Sequence, residues 1–273
     1  MAHMKKIAVA LICMLMLVGI AQAQEISHYL LLGFDFWGDT TIGTSFSDTN
    51  IVLSVDEADS RILVASIMRD SYVTMPNGKQ SKINQVVRKS DFDTMVKTVE
   101  STLGIHIDAY VAISAPGFAR LIGELGGVEV EISKAEYKQL KDNENIPGAG
   151  KQTLRGNGLL SYVRLRKNAG NDRGRTERAR EVMGQLFVKA KAMNPLELVS
   201  FAGKAMQEVK TDIEPADMIS LVSAALGMKD ISFETYVIPA DGTYSYETVN
   251  GNSIVEVDWE SNRKLYQEFL EKN

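Results

Sequence analysis

The alternation of short apolar runs with amphipathic segments is the feature of this 273-residue chain that most constrains its fold. Short apolar runs bounded by polar turns are typical of buried strands. The runs that fit this pattern are residues 28–35, 49–56, 61–68, 109–114, 128–132 and 233–239. Apolar residues spaced three and four apart predict helices at 91–104, 116–126, 173–193, 195–209, 214–226 and from 258 onward. Strands that alternate with helices in this way predict an α/β fold, with a largely parallel or mixed central sheet and helices on its faces.

The first 23 residues have the organisation of a secretory signal peptide. Two lysines precede an apolar run at 7–20, and small residues stand at Ala21 and Ala23. Because a helix that spans a bilayer needs about 20 apolar residues, cleavage after Ala23 is favoured over the alternative of an uncleaved membrane anchor. We therefore predict a signal peptide at 1–23 and an extracytoplasmic mature chain that is secreted or associated with the cell envelope.

The predicted mature chain, residues 24–273, is interpreted as a single domain, because no low-complexity linker, internal repeat or Pro-rich hinge divides it. The one cysteine, Cys13, lies in the predicted signal peptide, which excludes disulfides and thiol chemistry from the exported chain. Removal of Lys5 and Lys6 from the 30 basic residues leaves 28 against 35 acidic ones, a formal charge of −7. A net acidic chain is a poor general ligand for nucleic acid, since that binding depends on broad neutralisation of phosphate.

Arginine is concentrated in one segment of this acidic chain, because six of the twelve arginines fall between residues 164 and 180. If 159–166 is a strand, as its alternation predicts, Arg164 and Arg166 face the same side, where they repel each other unless an anion or a carboxylate lies between them. In the helix predicted to follow, Arg175 and Arg178 lie one turn apart on one face. Guanidinium groups bind phosphate oxygens in a bidentate manner, so the cluster predicts a site for a phosphorylated ligand. For the other arginines of this segment, a solvated helix face is the simpler interpretation.

Strand ends supply a second group of charged residues. Arg69 and Asp70 follow the run at 61–68, and ligands of open α/β sheets bind at the carboxyl ends of strands. An ion pair between Arg69 and a nearby acid is an equally good interpretation. Asp35 and Asp48 border strands on either side of a loop rich in Gly, Thr and Ser, and each alone could be a turn residue. Since Mg²⁺ takes one or two carboxylates plus phosphate oxygens and water, the pair predicts a Mg²⁺ site beside the arginines.

Other site chemistries are disfavoured by the residues that the chain lacks. The predicted mature chain has only two histidines, His28 and His106, and the sequence contains no Walker loop, GxSxG motif or HExxH motif. Hydrolysis by a histidine-based triad is therefore disfavoured. What remains is an arginine-rich site, supported by carboxylates, for a phosphorylated ligand.

Several motifs follow one another in a fixed order along the chain. They are LLLGFD, SDTNIVLSVD, SIMRDSYVTMP with KIN at 82–84, LGIHIDAYVAIS, GFARLIGELGGVEVEI, GKQTLRGNGLLSYVRLR, DRGRTERAR and VKTDIEPADMISL. Together they resemble the LytR-CpsA-Psr family of bacterial cell-envelope proteins, and the resemblance covers nearly the whole mature chain. It implies an α-β-α sandwich, in which helices flank a central mixed sheet and a lipid-binding cavity lies between sheet and helices.

The resemblance also implies a reaction. Members of this family transfer a glycopolymer from a polyprenyl pyrophosphate carrier to peptidoglycan and form a phosphodiester link, with Mg²⁺ helping to neutralise the pyrophosphate. The implied activity is therefore that of a phosphotransferase, with pyrophosphatase activity as a second reaction. The implied partners are the lipid-linked glycopolymer, met at the outer face of the cytoplasmic membrane, and the peptidoglycan acceptor.

Site residues follow from the resemblance position by position. Asp35 and Asp48 match the metal-associated acids of the family, and Arg69 matches an arginine at a strand end. The residues that match the pyrophosphate-binding arginines are Arg164, Arg166 and Arg175, followed by Arg178 in the helix motif. The attacking hydroxyl group needs a base, for which Asp35 or Asp70 is the hypothesis.

Three positions depart from the family pattern. Arg is usual where Phe46 stands and frequent where Trp37 stands, and Gln is usual where Ala179 stands. Each departure removes a hydrogen-bond donor aimed at phosphate. The departures motivate an alternative function, that of a binding or regulatory module that captures polyprenyl phosphate or another anionic envelope ligand without turning it over.

Overall fold

The computed structural model describes residues 26–34, 42–142, 146–163, 165, 185, 189, 192–214, 228 and 231–271. The predicted signal peptide and nearly all of the helices predicted at 173–193 and 214–226 lie outside these ranges. Within the ranges, no helix has both the length and the apolar character needed to cross a bilayer.

Strands and helices alternate along the described chain. The strands are β1 (Ser27–Phe34), β2 (Ser47–Asp56), β3 (Arg61–Ile67), β4 (Tyr72–Thr74), β5 (Gln80–Lys82), β6 (Ala109–Ser114), β7 (Val128–Ile132), β8 (Gly150–Leu154), β9 (Val209–Thr211), β10 (Ser232–Ile238), β11 (Tyr244–Val249) and β12 (Asn252–Val257). The helices are α1 (Val86–Lys89), α2 (Phe92–Leu103), α3 (Ala115–Glu124), α4 (Lys134–Leu140), α5 (Gly156–Val163), α6 (Pro195–Glu208) and α7 (Trp259–Leu270). A 3-10 turn at Ile83–Gln85 leads into α1.

Six strands of the described chain form one central sheet in the order β10-β3-β2-β1-β6-β9. β1 is parallel to β6 and antiparallel to β2, whereas β3 is antiparallel to β2 and parallel to β10. β9 completes the β6 side as an antiparallel edge strand. The prediction of a mixed sheet is thereby confirmed. The predicted strand at 128–132 is also present, as β7, but it pairs with β8 in a separate two-stranded sheet.

The side chains of the central sheet alternate between two buried apolar layers. In β1, Tyr29 and Leu31 belong to the first layer, and Leu30 and Leu32 belong to the second. Residues of α3, α5 and α6 complete the first layer, and residues of α1, α2 and α7 complete the second. Helices thus cover both faces, which makes the architecture an α-β-α sandwich. Burial on both faces also explains why the central strands are almost continuously hydrophobic.

Local sequence signals fix the ends of the helices that cover the sheet. The side chain of Asp91 caps α2 by accepting a hydrogen bond from the Thr94 backbone N at 2.7 Å. Gly104 ends the same helix in the left-handed conformation, with φ of 70°. Ser114 caps α3 in a similar way, by accepting a hydrogen bond from Gly117 N at 3.0 Å. Because Ser114 is also the last residue of β6, the chain passes from sheet to helix without a loop.

The prediction of a strand over 159–166 is wrong, because the chain is helical up to Val163. Leu159 and Tyr162, three residues apart, are both buried in the first apolar layer. A short apolar run fits a strand and a buried helix equally well, and here the spacing of three is the pattern that packs. The expectation that Arg164 and Arg166 share one strand face therefore loses its basis.

A row of hydrogen-bonded polar side chains crosses the second layer at the end of the sheet where β1 begins. His28 Nδ1 lies 2.8 Å from Ser54 Oγ, which lies 3.1 Å from the hydroxyl oxygen of Tyr266. Burial lowers the pKa of His28 from its ordinary value of 6.5 to about 4. Between these two pH values the unfolded chain therefore binds a proton at His28 that the folded chain does not bind.

We expect the free energy of unfolding to fall as the pH drops from 6.5 towards 4, since a lowered His pKa in the folded state favours the unfolded state in that window. The contribution of His28 to the slope is up to about 1.4 kcal/mol per pH unit. His28→Gln should remove this contribution, as measured by urea unfolding at a series of pH values. Gln80→Ala, which alters an exposed residue of β5 that does not titrate, serves as the control and should keep the slope. A slope that is unchanged in His28→Gln would contradict the assignment.

Candidate anion-binding site at the sheet edge

The ends of neighbouring strands bring charged residues together at one edge of the central sheet. Because β2 is antiparallel to β1 and β3, its first residues lie beside the last residues of those strands. Asn50 near the start of β2 pairs with Ile67 at the end of β3. Asp48, the second residue of β2, and Arg69, two residues beyond β3, therefore meet at the same edge.

Arg69 lies between two carboxylates at this edge. Its Nη1 donates a hydrogen bond to Asp48 Oδ1 at 3.2 Å, and its Nε donates one to Asp70 Oδ2 at 3.3 Å. The Asp48 side chain is 11% exposed and the Arg69 side chain is 32% exposed, so the pair extends from the buried strand towards solvent. The alternative interpretation of the sequence, an ion pair between Arg69 and a nearby acid, is thus confirmed, and Arg69 pairs with both Asp48 and Asp70.

Backbone hydrogen bonds from other elements hold the turn that carries Arg69. Asn84 N, in the 3-10 turn, donates to Arg69 O at 3.2 Å, and Val255 N, in β12, donates to Asp70 O at 2.9 Å. The Tyr72 carbonyl oxygen accepts a further hydrogen bond, from the indole of Trp259 at 2.8 Å. These hydrogen bonds hold the backbone at Arg69 in place before any ligand binds, which is what a preorganised site requires.

The guanidinium group of Arg69 keeps donors that the described protein does not use. Nε and Nη1 each bond to a carboxylate, whereas Nη2 makes no hydrogen bond with any described residue. Because Nε and Nη1 are held by carboxylates, the N–H groups of Nη2 have a fixed direction and can be donated to phosphate oxygens. The geometry is therefore suited to binding an anion in one orientation.

Lys82 is a site residue that the sequence analysis did not single out. It is the last residue of β5, and its ammonium nitrogen lies 3.0 Å from Asp70 Oδ1. The KIN motif at 82–84 was the available signal, but only the fold shows that its lysine reaches Asp70. Two acids and two cations thus alternate through Asp48, Arg69, Asp70 and Lys82, and their formal charges cancel.

Buried oxygen atoms without partners lie close to these residues in sequence. Within the described ranges, the side-chain oxygens that are buried and make no hydrogen bond are Ser45 Oγ, Thr49 Oγ1, Ser71 Oγ and Asn84 Oδ1. No group of three or more His, Cys, Asp or Glu residues that could hold a metal occurs in the same ranges. Mg²⁺ is usually held by one or two carboxylates together with water and substrate phosphates. A Mg²⁺ ion at Asp48 would therefore need water and phosphate oxygens among its ligands.

Several predicted site residues lie outside the described part of the chain. They are Asp35, Arg164, Arg166, Arg175 and Arg178, together with the departures Trp37 and Ala179. The convergence of these arginines with Arg69 on one anion therefore stays a prediction. The third departure, Phe46, is described: it directly precedes β2, and 38% of it is exposed.

The chain belongs to the LytR_cpsA_psr family, whose model matches residues 6–270. The family that the motifs indicated is thereby confirmed, and it accounts for almost the whole sequence.

Two similar proteins of this family are named as transferases. Polyisoprenyl-teichoic acid–peptidoglycan teichoic acid transferase TagU of Enterococcus faecalis is 31% identical over 243 residues, which cover 86% of this chain and 78% of TagU. TagV of Bacillus subtilis, with the same transferase name, is 30% identical over 236 residues, which cover 82% of this chain but only 60% of TagV. The solved structure of TagT bound to LI-WTA superposes with a TM-score of 0.70 at 25% identity, over 92% of each chain. The predicted α-β-α sandwich is therefore confirmed.

Proposed function

We propose that this protein is a phosphotransferase that moves a glycopolymer from a polyprenyl pyrophosphate carrier to peptidoglycan at the outer face of the cytoplasmic membrane. The observation that carries the proposal is the half-open guanidinium group of Arg69, fixed by two carboxylates at the strand edge. The names of TagU and TagV support the choice of carrier, polymer class and acceptor. The signal peptide predicted at 1–23 supports the extracytoplasmic location.

The proposed reaction is a displacement at phosphorus. A sugar hydroxyl oxygen of peptidoglycan attacks the phosphorus atom that bears the glycopolymer, and a new P–O bond forms. The bond from that phosphorus to the bridging oxygen breaks, and polyprenyl phosphate leaves with the electron pair. The hydroxyl proton passes to a base, and the product is a phosphodiester between glycopolymer and peptidoglycan.

The residues of this chain have separate roles in that reaction. Arg69 binds the pyrophosphate through its open Nη2 edge and stabilises the charge that develops on the transferred phosphoryl group. Asp70 or Asp35 accepts the proton of the hydroxyl group. Lys82 positions Asp70 through their 3.0 Å ion pair. The arginines outside the described part, Arg164, Arg166, Arg175 and Arg178, bind the remaining pyrophosphate oxygens.

The proposal includes Mg²⁺, with Asp48 and Asp35 as the residues that would hold it. When bound, the ion supplies positive charge that neutralises pyrophosphate oxygens. Asp48 has a second role that the structure makes visible, since it orients Arg69 through the hydrogen bond to Nη1.

A module that captures the lipid without turning it over is the second candidate, and Phe46 is the observation in its favour. This side chain stands exposed at the start of β2 and offers phosphate no hydrogen-bond donor. Such a protein would bind the lipid pyrophosphate through the same arginines and retain it.

Turnover distinguishes the two candidates. The purified protein is incubated with a glycopolymer linked to polyprenyl pyrophosphate, with peptidoglycan and with Mg²⁺, and the release of polyprenyl phosphate is followed. We expect many equivalents of polyprenyl phosphate per protein, and much slower release when peptidoglycan is omitted. Tight stoichiometric binding without release would instead establish the capture module.

A further inference from the structure

Phe46 carries a cation from another element on its exposed ring. The guanidinium carbon of Arg88, in α1, lies 4.9 Å from the centroid of the Phe46 ring. Phe46 directly precedes β2, and its carbonyl oxygen accepts a hydrogen bond from the backbone N of Asp48 at 3.1 Å. The Arg88 guanidinium group is therefore held beside the same sheet edge that carries Arg69.

Arg88 differs from the other arginines of the described chain in having no polar partner. In that part of the chain, its guanidinium group makes no hydrogen bond and no ion pair. The other described arginines all bond to carboxylate or carbonyl oxygens, namely Arg61, Arg69, Arg120, Arg155 and Arg263. The next residue, Lys89, donates to Ser81 Oγ at 2.9 Å. A cation with unused donors at a ligand edge is available to an incoming anion.

Stacking on an aromatic ring orients a guanidinium group without consuming its N–H donors, because the attraction acts through the ring face. Phe46 thus restrains Arg88 while leaving its five donors for a ligand. An arginine whose fork is restrained in this way loses less freedom when it binds phosphate. Phe46 and Arg88 together therefore form a preorganised site for an anion.

Arg88 supplies net positive charge that the rest of the described edge lacks. The formal charges of Asp48, Arg69, Asp70 and Lys82 cancel. This cluster therefore holds a guanidinium group in position for an anion but has no net positive charge. Among the described residues, no carboxylate forms an ion pair with Arg88, so it adds an unpaired positive charge to this edge. Within the described part, it therefore adds to the attraction of this edge for an anion.

We propose that Arg88, seated on Phe46, is a further anion-binding residue of this site and contacts phosphate oxygens of the polyprenyl pyrophosphate. The inference rests on the proposed function for the identity of the ligand. It gives Phe46 a positive role, as the platform of a guanidinium group that the chain supplies from α1.

Binding of geranylgeranyl pyrophosphate to the full-length protein in the presence of Mg²⁺ tests this inference, with calorimetry as the measurement. Arg88→Ala should weaken binding roughly tenfold, the lower end of the range for a hydrogen bond to a charged group. Phe46→Leu should weaken it by about threefold, because Arg88 remains but loses its cation–π platform. In the double variant, Phe46→Leu should add nothing to the effect of Arg88→Ala. Lys89→Ala, which removes an adjacent exposed cation, is the matched control and should bind within about twofold of the unsubstituted protein, because solvent and salt screen an exposed charge.

The outcomes separate this inference from the proposed function. If Arg88→Ala binds as tightly as the unsubstituted protein while Arg69→Ala binds more weakly, the role of Arg88 is refuted and the proposed function stands. If neither variant affects binding, the proposed function fails as well. Equal losses in Arg88→Ala and Lys89→Ala would show a general surface-charge effect and would also overturn the inference. Because Arg88 is exposed, the variants should keep the thermal unfolding midpoint, and Arg88→Gln provides a second substitution of similar size.

Discussion

Arg69→Ala is expected to lower the rate of phosphodiester formation by roughly 10²–10³-fold, the size of effect seen when one preorganised donor to a developing negative charge is removed. The effect should be large because Arg69 is fixed by Asp48 and Asp70 and keeps one edge of its fork open. Arg69→Lys keeps the charge but not the fork, so it should recover only a small part of the rate. The measurement is the initial rate of polyprenyl phosphate release under saturating acceptor.

Arg120→Ala is the matched control for this result. Arg120 bonds to Glu208 through Nε at 2.7 Å. It lies on α3, which follows β6, three strand positions from β3 in the central sheet. Its removal should leave the rate within about twofold, since exposed ion pairs contribute little. Equal losses in both variants would mean that Arg69 acts through general charge or stability rather than by contact with phosphate.

Asp48→Asn is expected to lower the rate of phosphodiester formation by at least roughly 10²-fold, because it replaces a charge-assisted hydrogen bond to Arg69 with a neutral one. It should also weaken Mg²⁺ binding in the presence of geranylgeranyl pyrophosphate by about tenfold or more, because it removes a charged metal ligand. The substitution keeps the size of the side chain, so the 3.2 Å contact with Arg69 can remain as a weaker hydrogen bond. Calorimetric titration with Mg²⁺ gives a measurement that does not depend on turnover.

Asp59→Asn provides the comparison for Asp48→Asn. Asp59 is an exposed turn residue between β2 and β3, at the opposite end of the strand that carries Asp48. It should retain both rate and Mg²⁺ affinity. If Asp48→Asn loses activity but binds Mg²⁺ as before, Asp48 acts only by orienting Arg69, and the proposed metal role is wrong.

The central strands were predictable because burial on both faces leaves long apolar runs in the sequence. The run at 28–35 became β1 and that at 61–68 became β3, each within one residue or two at its ends. The short strands β4, β5, β11 and β12 have no such run, and they pair locally as two antiparallel hairpins, β4 with β5 and β11 with β12. The run at 159–166 was misassigned because alternation and helical spacing coincide over so few residues.

The candidate site was predictable where it depends on strand ends, and not where it depends on contacts between separate elements. The positions of Asp48 and Arg69 beside strands indicated that both lie at a ligand edge. Lys82 belongs to the KIN motif, but only the fold shows that it reaches Asp70. Arg88 lies in a segment whose sequence has no pattern that would place it there. From the sequence, Phe46 was only the loss of a donor, because nothing in the chain indicates that Arg88 lies over its ring.

The most direct test of the proposed function identifies the bond that the protein makes. Peptidoglycan treated with the protein, Mg²⁺ and a glycopolymer linked to polyprenyl pyrophosphate is digested to muropeptides, which are then analysed by mass spectrometry. The proposed transferase activity predicts muropeptides that carry the glycopolymer through a phosphodiester, in an amount equal to the polyprenyl phosphate released, and their loss in Arg69→Ala. Release of polyprenyl phosphate with the glycopolymer phosphate left free in solution would contradict it, because the protein would then be a hydrolase and not a transferase.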